Sequence, residues 1–181
     1  MKKILLVSAL CLAACSPPPP SAVEDTSASA SASAPAPAAT LTTADKDISK
    51  VSKVGKTVVV DVYYRSLNDE KDIIDAITFT SRSVGVAVAA GAPEAEGASA
   101  VKIVTSIDTV DRLGHTSPNE VMTLTFDADD FRKADWNNIT IAGSLDLVKS
   151  ADLKPIATKG AAAWCKSRPD DAPTFCGLAL K

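Results

Sequence analysis

The chain has 181 residues, 19 of them basic and 22 acidic, giving a formal charge of −3 and a sequence pI near 5.1. Nucleic-acid binding driven by phosphate neutralisation needs a basic surface, and an acidic chain without a basic stripe does not supply one. Cys11 and Cys15 fall within or directly after an apolar N-terminal run, which leaves Cys165, Cys176 and a single histidine as too few ligands for a zinc centre, and no metal site or cofactor is expected.

Met1-Lys2-Lys3 gives a cationic start, an apolar run covers residues 4–14, and Cys15 follows. These are the parts of a secretory signal. The apolar run is 11 residues long, whereas a spanning helix needs about 17–25, so a permanent transmembrane anchor is not expected. Leu12-Ala13-Ala14-Cys15 resembles the lipobox of bacterial lipoproteins. That resemblance implies a diacylglycerol on the Cys15 thiol, cleavage before it, and acylation of the new amine by a chain such as palmitate. Two or more acyl chains anchor a protein stably, since each buried methylene contributes about 0.8 kcal/mol. Ser16 stands where an aspartate commonly retains such lipoproteins in the inner membrane. The resemblance therefore implies attachment to the outer membrane, on its periplasmic face.

The expected organisation is a signal peptide at residues 1–14, the lipidated cysteine and a disordered linker at 15–44, and a periplasmic domain at 45–181. The linker is Pro, Ala, Ser and Thr with almost nothing to bury, so it does not offset its own ordering entropy. As a flexible coil it reaches on the order of 30 Å. Residues 45–181 contain every aromatic side chain and match the usual size of one domain.

Residues 56–65 alternate as a strand, with Val58, Val60, Val62 and Tyr64 on one face. A helix is predicted next, capped by Asn68, with Ile73, Ile77, Thr80, Val84 and Ala87 at helical spacing and a stop at Gly91 and Pro93. The β-branched run at 78–88 keeps a break into a strand open as an alternative. Val101, Ile103, Thr105 and Ile107 mark a second strand, Met122, Leu124 and Phe126 a third, and residues 111–119 a turn-rich hairpin loop. A short helix around residues 143–150 and a last helix opened by Pro155 and ending near Lys166 complete the reading. The predicted fold class is α+β: about three antiparallel strands packed by helices.

Cys165 and Cys176, an even pair in an exported chain, predict a disulfide tying the tail to the last helix. His115 falls in the hairpin loop, and no nucleophile or acid is set beside it by sequence, so it reads as an exposed loop residue. Gly55-Lys56-Thr57 is similar to the end of a phosphate-binding loop, but Lys50 stands where that loop needs glycine and a strand follows instead of a helix. Asp127, Asp129 and Asp130 lack the glycine turn and distal glutamate of a calcium loop, and capping of a helix before Phe131 accounts for them more simply.

Two functions stay open. The first is a non-catalytic envelope lipoprotein, with no catalytic residues, whose domain binds another protein: a secretion or conjugation component, an assembly factor, or an inhibitor or immunity protein. The second is an envelope hydrolase or small-ligand binder using carboxylates on or near strands, with Asp61, Asp108, Asp111 and Asp127 as its candidates. A deep pocket joining two of these carboxylates favours the second. An exposed apolar surface involving Trp136 or Tyr63 favours the first.

Overall fold

The computed structural model describes residues 39–65, 67 and 69–181. Residues 1–38, with the predicted signal peptide, Cys15 and most of the predicted linker, lie outside the described residues, as does the predicted cap Asn68.

One sheet carries the fold. Its strands are β1 (Ile48–Val54), β2 (Thr57–Tyr64), β3 (Ala100–Val110), β4 (Thr116–Asp127) and β5 (Val148–Leu153), in that spatial order. The α+β expectation holds, but the sheet has five strands, not three, and it is mixed. β2 and β3 run parallel, and every other neighbouring pair is antiparallel. The cause is the helix between them, α1 (Glu70–Ala89), because a strand–helix–strand crossover returns the chain to the same end of the sheet. The two additional strands are the edges. β1 is Ile-Ser-Lys-Val-Ser-Lys-Val, whose lysines suit an exposed edge but hide the strand pattern. The short helix predicted around 143–150 is a 3-10 helix at Ala142–Leu147, and the end of that stretch opens β5 instead.

The alternating residues read from sequence sort onto faces as expected. Val58, Val60, Val62 and Tyr64 are buried, as are Val101, Ile103, Thr105 and Ile107. A bulge beside Thr105 pairs it with Met122 and Ser106 with Glu120, so Val121 and Met122 are both buried.

α1 stays helical through its β-branched run. Ile73, Ile74, Ile77, Ser81, Val84 and Val88 are buried along one side, and that packing outweighs weak intrinsic propensity. Asp69 caps it, with the Asp72 carboxylate accepting from the Asp69 amide in return. At the other end the Gly91 amide donates to Val88 and the Ala92 amide to Ala87, with Gly91 at φ +84°. The remaining helices are α2 (Ala128–Lys133), capped by Asp127, α3 (Pro155–Ser167), opened by Pro155 as predicted, and the short α4 (Pro173–Ala179).

α3 lies so close to α1 that only glycine fits at their crossing: a Cβ on Gly160 would stand 2.2 Å from the Glu70 carbonyl oxygen. Asp75 ties the pair further, accepting from the Trp164 indole at 2.9 Å and pairing with Arg168. Cys165 and Cys176 sit at disulfide distance, with Cα atoms 5.8 Å apart, and hold α4 against α3. The Phe175 ring then meets Trp164 edge-on at 6.1 Å. The folded part reaches back past residue 45, because Leu41 is fully buried and its amide donates to Glu94 just beyond α1.

Candidate functional site

The carboxyl ends of β2 and β3 and the start of α1 meet at one pole of the domain. In open sheets with a parallel pair, this is where side chains from strand ends and the following loop leave a crevice. A cavity of about 610 Å³ opens here, lined by Lys46, Asp47, Ile48, Ser49, Tyr63, Tyr64, Arg65, Leu67 and Ala76. A second, of about 330 Å³, adjoins it across Leu67 and is lined by Asp69, Glu70, Ile73, Ile107, Asp108 and Ile156.

Tyr63 links the two. Its side chain lines the wider cavity, and its hydroxyl donates to Asp108 Oδ1, a lining residue of the narrower one, at 2.5 Å. That bond, ahead of burial, holds the Tyr63 phenol above its ordinary pKa, so at neutral pH it stays a donor. The Arg65 guanidinium stands 6.0 Å from the Tyr63 ring. Behind the wider cavity Tyr64 is buried, which pushes its phenol well above the usual range. Its hydroxyl pairs with Thr80 at 2.8 Å, and Thr80 donates to Asp45 at 2.9 Å, fixing the lead-in to β1.

The same pole carries a projection. β2 pairs with β3 only as far as Ile107, and β5 pairs with β4 only from Met122 to Phe126. Asp108–Val110 and their partners Thr116–Pro118 therefore extend beyond the sheet as a two-stranded ribbon. Asp111 shapes its tip by accepting from the Leu113 amide at 2.7 Å and the His115 amide at 2.9 Å. The His115 amide bond is the leading cause that lowers the Asp111 pKa. Val110 is 68% exposed and Leu113 81%.

The other residues singled out by sequence fall as follows. His115 is exposed at this tip, its Nδ1 3.2 Å from Asp111, an acidic neighbour that sequence spacing did not reveal. Asp61 lies on the sheet opposite Lys50, and Asp127 caps α2. Asp129 pairs with Arg132 at 2.6 Å and Asp130 with Lys149 at 2.7 Å, so the acidic trio diverges. No two of Asp61, Asp108, Asp111 and Asp127 line the same described cavity; Asp108 alone of them faces the groove. Trp136 is not an exposed platform: it is half-buried, donates to the Phe131 carbonyl at 3.0 Å, and packs where a Cβ on Gly85 would stand 2.2 Å from its ring. Gly55-Lys56 form the tight turn between β1 and β2.

Arg65, Leu67, Asp69, Glu70 and Ile156 were missed as site residues. The available signal was topological, since a predicted strand–helix–strand unit already directs attention to the loop after its first strand. No protein-family model, curated protein or solved structure matches the chain.

Proposed function

We propose that this chain is an outer-membrane lipoprotein of the bacterial envelope, anchored through Cys15, whose periplasmic domain binds another protein and catalyses no reaction. The observation that carries the reading is the pole just described, where an open groove lies beside a projecting ribbon with exposed Val110 and Leu113. Apolar side chains on a hydrogen-bonded turn are already ordered, so less conformational entropy is lost when a partner covers them.

The position of the tether junction supports the same reading. Leu41 is bonded to Glu94, beyond the carboxyl end of α1, whereas the groove lies at the amino end of that helix. Leu41, near the start of the described residues, thus lies toward the pole opposite the groove. Tethering to a membrane raises the local concentration of the domain near membrane-bound partners, so a modest intrinsic affinity suffices.

The test is in-cell photo-crosslinking from position 110 in the full lipoprotein. One or a few envelope proteins should be captured, and Leu113→Asp should abolish that capture. Recovery of abundant background proteins alone, unchanged by Leu113→Asp, would overturn the proposal.

A further inference from the structure

The groove is electrically bipolar. At its wider end Lys46 is met by Asp47 at 2.8 Å, which leaves Arg65 as the charge without a carboxylate partner among the described residues. At its narrower end Asp69, Glu70 and Asp108 line the wall among Ile73, Ile107 and Ile156, and no cation among the described residues lines that cavity. Lys71 pairs with Asp69 at 4.0 Å, and among the described residues the hydrogen bonds that Asp69 and Asp108 accept come from neutral donors. Between the two ends lie Leu67 and the Tyr63 side chain.

We infer that this groove takes an extended peptide segment of the partner, with an acidic side chain at Arg65 and a lysine or arginine in the notch of Asp69, Glu70 and Asp108. The inference rests on the protein-binding reading above. A wholly anionic ligand is repelled by the notch and a wholly cationic one by Arg65, whereas a segment with both charges satisfies both ends in one direction only. Leu67, shared by the two cavities, offers an apolar contact for a residue between the charges. Tyr63 cannot rotate away without breaking its bond to Asp108, so the middle of the groove is held in place. The open form of both cavities suits a chain that enters and leaves, and charge pairs at their rims set direction more than strength.

The experiment uses the full lipidated chain in detergent micelles and fluorescence anisotropy of labelled peptides. The probes are acetyl-Glu-(Ala)n-Lys-amide with spacers of about two to five alanines, which span the groove at roughly 3.3 Å per residue. The controls are the like-charged peptides, acetyl-Glu-(Ala)n-Glu-amide and acetyl-Lys-(Ala)n-Lys-amide. One spacer length should bind saturably, and the like-charged peptides of the same length should bind about tenfold more weakly. Because Arg65 and Glu70 are both exposed, Arg65→Glu combined with Glu70→Lys should keep the fold, checked by circular dichroism, and shift the preference to the doubly cationic peptide, since both ends then carry a net negative charge. Equal binding of the mixed-charge and like-charged peptides, an unchanged preference in the folded double variant, or no binding at millimolar peptide would each overturn the inference. Failure here with Leu113-dependent capture intact removes the groove's role and leaves protein binding standing. Loss of both removes the broader reading as well.

Discussion

α3 crosses the first turn of α1 at Gly160, and the contact there is backbone against backbone. A methyl group on Gly160 would lie 2.2 Å from the Glu70 carbonyl oxygen and 2.8 Å from its carbon. Glu70 opens a helix whose start is fixed by the reciprocal bonds of Asp69 and Asp72, so the obstacle is not a flexible side chain. The helices must separate by on the order of 1 Å to restore ordinary contact, and overpacking of this kind costs about 1–3 kcal/mol. Replacing glycine by alanine inside a helix returns up to about 1 kcal/mol. The clash is severe enough to favour the upper end, so Gly160→Ala should destabilise the domain by about 1–2 kcal/mol. Gly177 in α4 has nothing within 4 Å of the same construction, so Gly177→Ala keeps only the favourable part, roughly 0.5–1 kcal/mol. At about 3–4 °C per kcal/mol for a domain of this size, Tm should fall by about 3–8 °C in the first variant and rise by about 2–4 °C in the second. Thermal unfolding followed by circular dichroism, in one oxidising buffer, reads both. A Gly160→Ala protein that melts at or above the parent temperature would refute the close crossing and the reasoning built on it.

Three further outcomes are expected. Reducing the Cys165–Cys176 bond opens a loop spanning 11 positions and should lower stability by about 3 kcal/mol; a Cys165→Ser/Cys176→Ser variant should melt at the reduced temperature whether or not reductant is present, and an unshifted Tm would count against the bond. Asp111, whose pKa is lowered chiefly by the His115 amide, contributes ribbon-tip stability that is fully present above its unfolded pKa and is lost as pH falls through its lower folded value. An NMR titration of its carboxyl carbon should give a midpoint below that of an ordinary aspartate, with the Leu113 and His115 amides moving in step; a midpoint at or above the ordinary value would contradict the turn. Cys15→Ser should move the protein from the membrane fraction to the soluble periplasm, and unchanged membrane fractionation would refute the lipobox reading.

Legibility from sequence followed how strongly each segment is constrained on one face. β2 and β3 alternate cleanly because their inward residues meet helices, and α1 shows a buried stripe long enough to read despite its β-branched content. β1 and β5 were not legible, since edge strands carry lysines and serines where central strands carry valine, and neither has a run of alternating apolar residues. Parallel pairing of β2 with β3 is implicit in the helix between them, whereas the alternation within each strand is the same in parallel and antiparallel pairs and carries no direction. Tyr63 and Asp108 were each noticed alone. Their bond joins residues 45 positions apart, and no local pattern announces it. Gly160 and Gly85 were invisible as well, because the feature that requires glycine is a neighbour distant in sequence.

The groove and the stability of the domain share parts. Glu70 supplies a charged wall of the narrower cavity through its side chain and the contact surface for Gly160 through its carbonyl. Ile156, in the first turn of α3, lines the same cavity four residues before that crossing. A shift of α3 at Gly160 therefore moves Ile156 relative to Glu70, Ile107 and Asp108, all of which belong to strands or helices and not to loops. Sites built on such elements keep their geometry until the packing between elements changes. Arg65, by contrast, lies just past the end of β2, and the helix crossing does not set its position. A disturbance at Gly160 should thus alter the anionic end of the groove before the cationic end, so Gly160→Ala should weaken recognition of a basic side chain while sparing that of an acidic one.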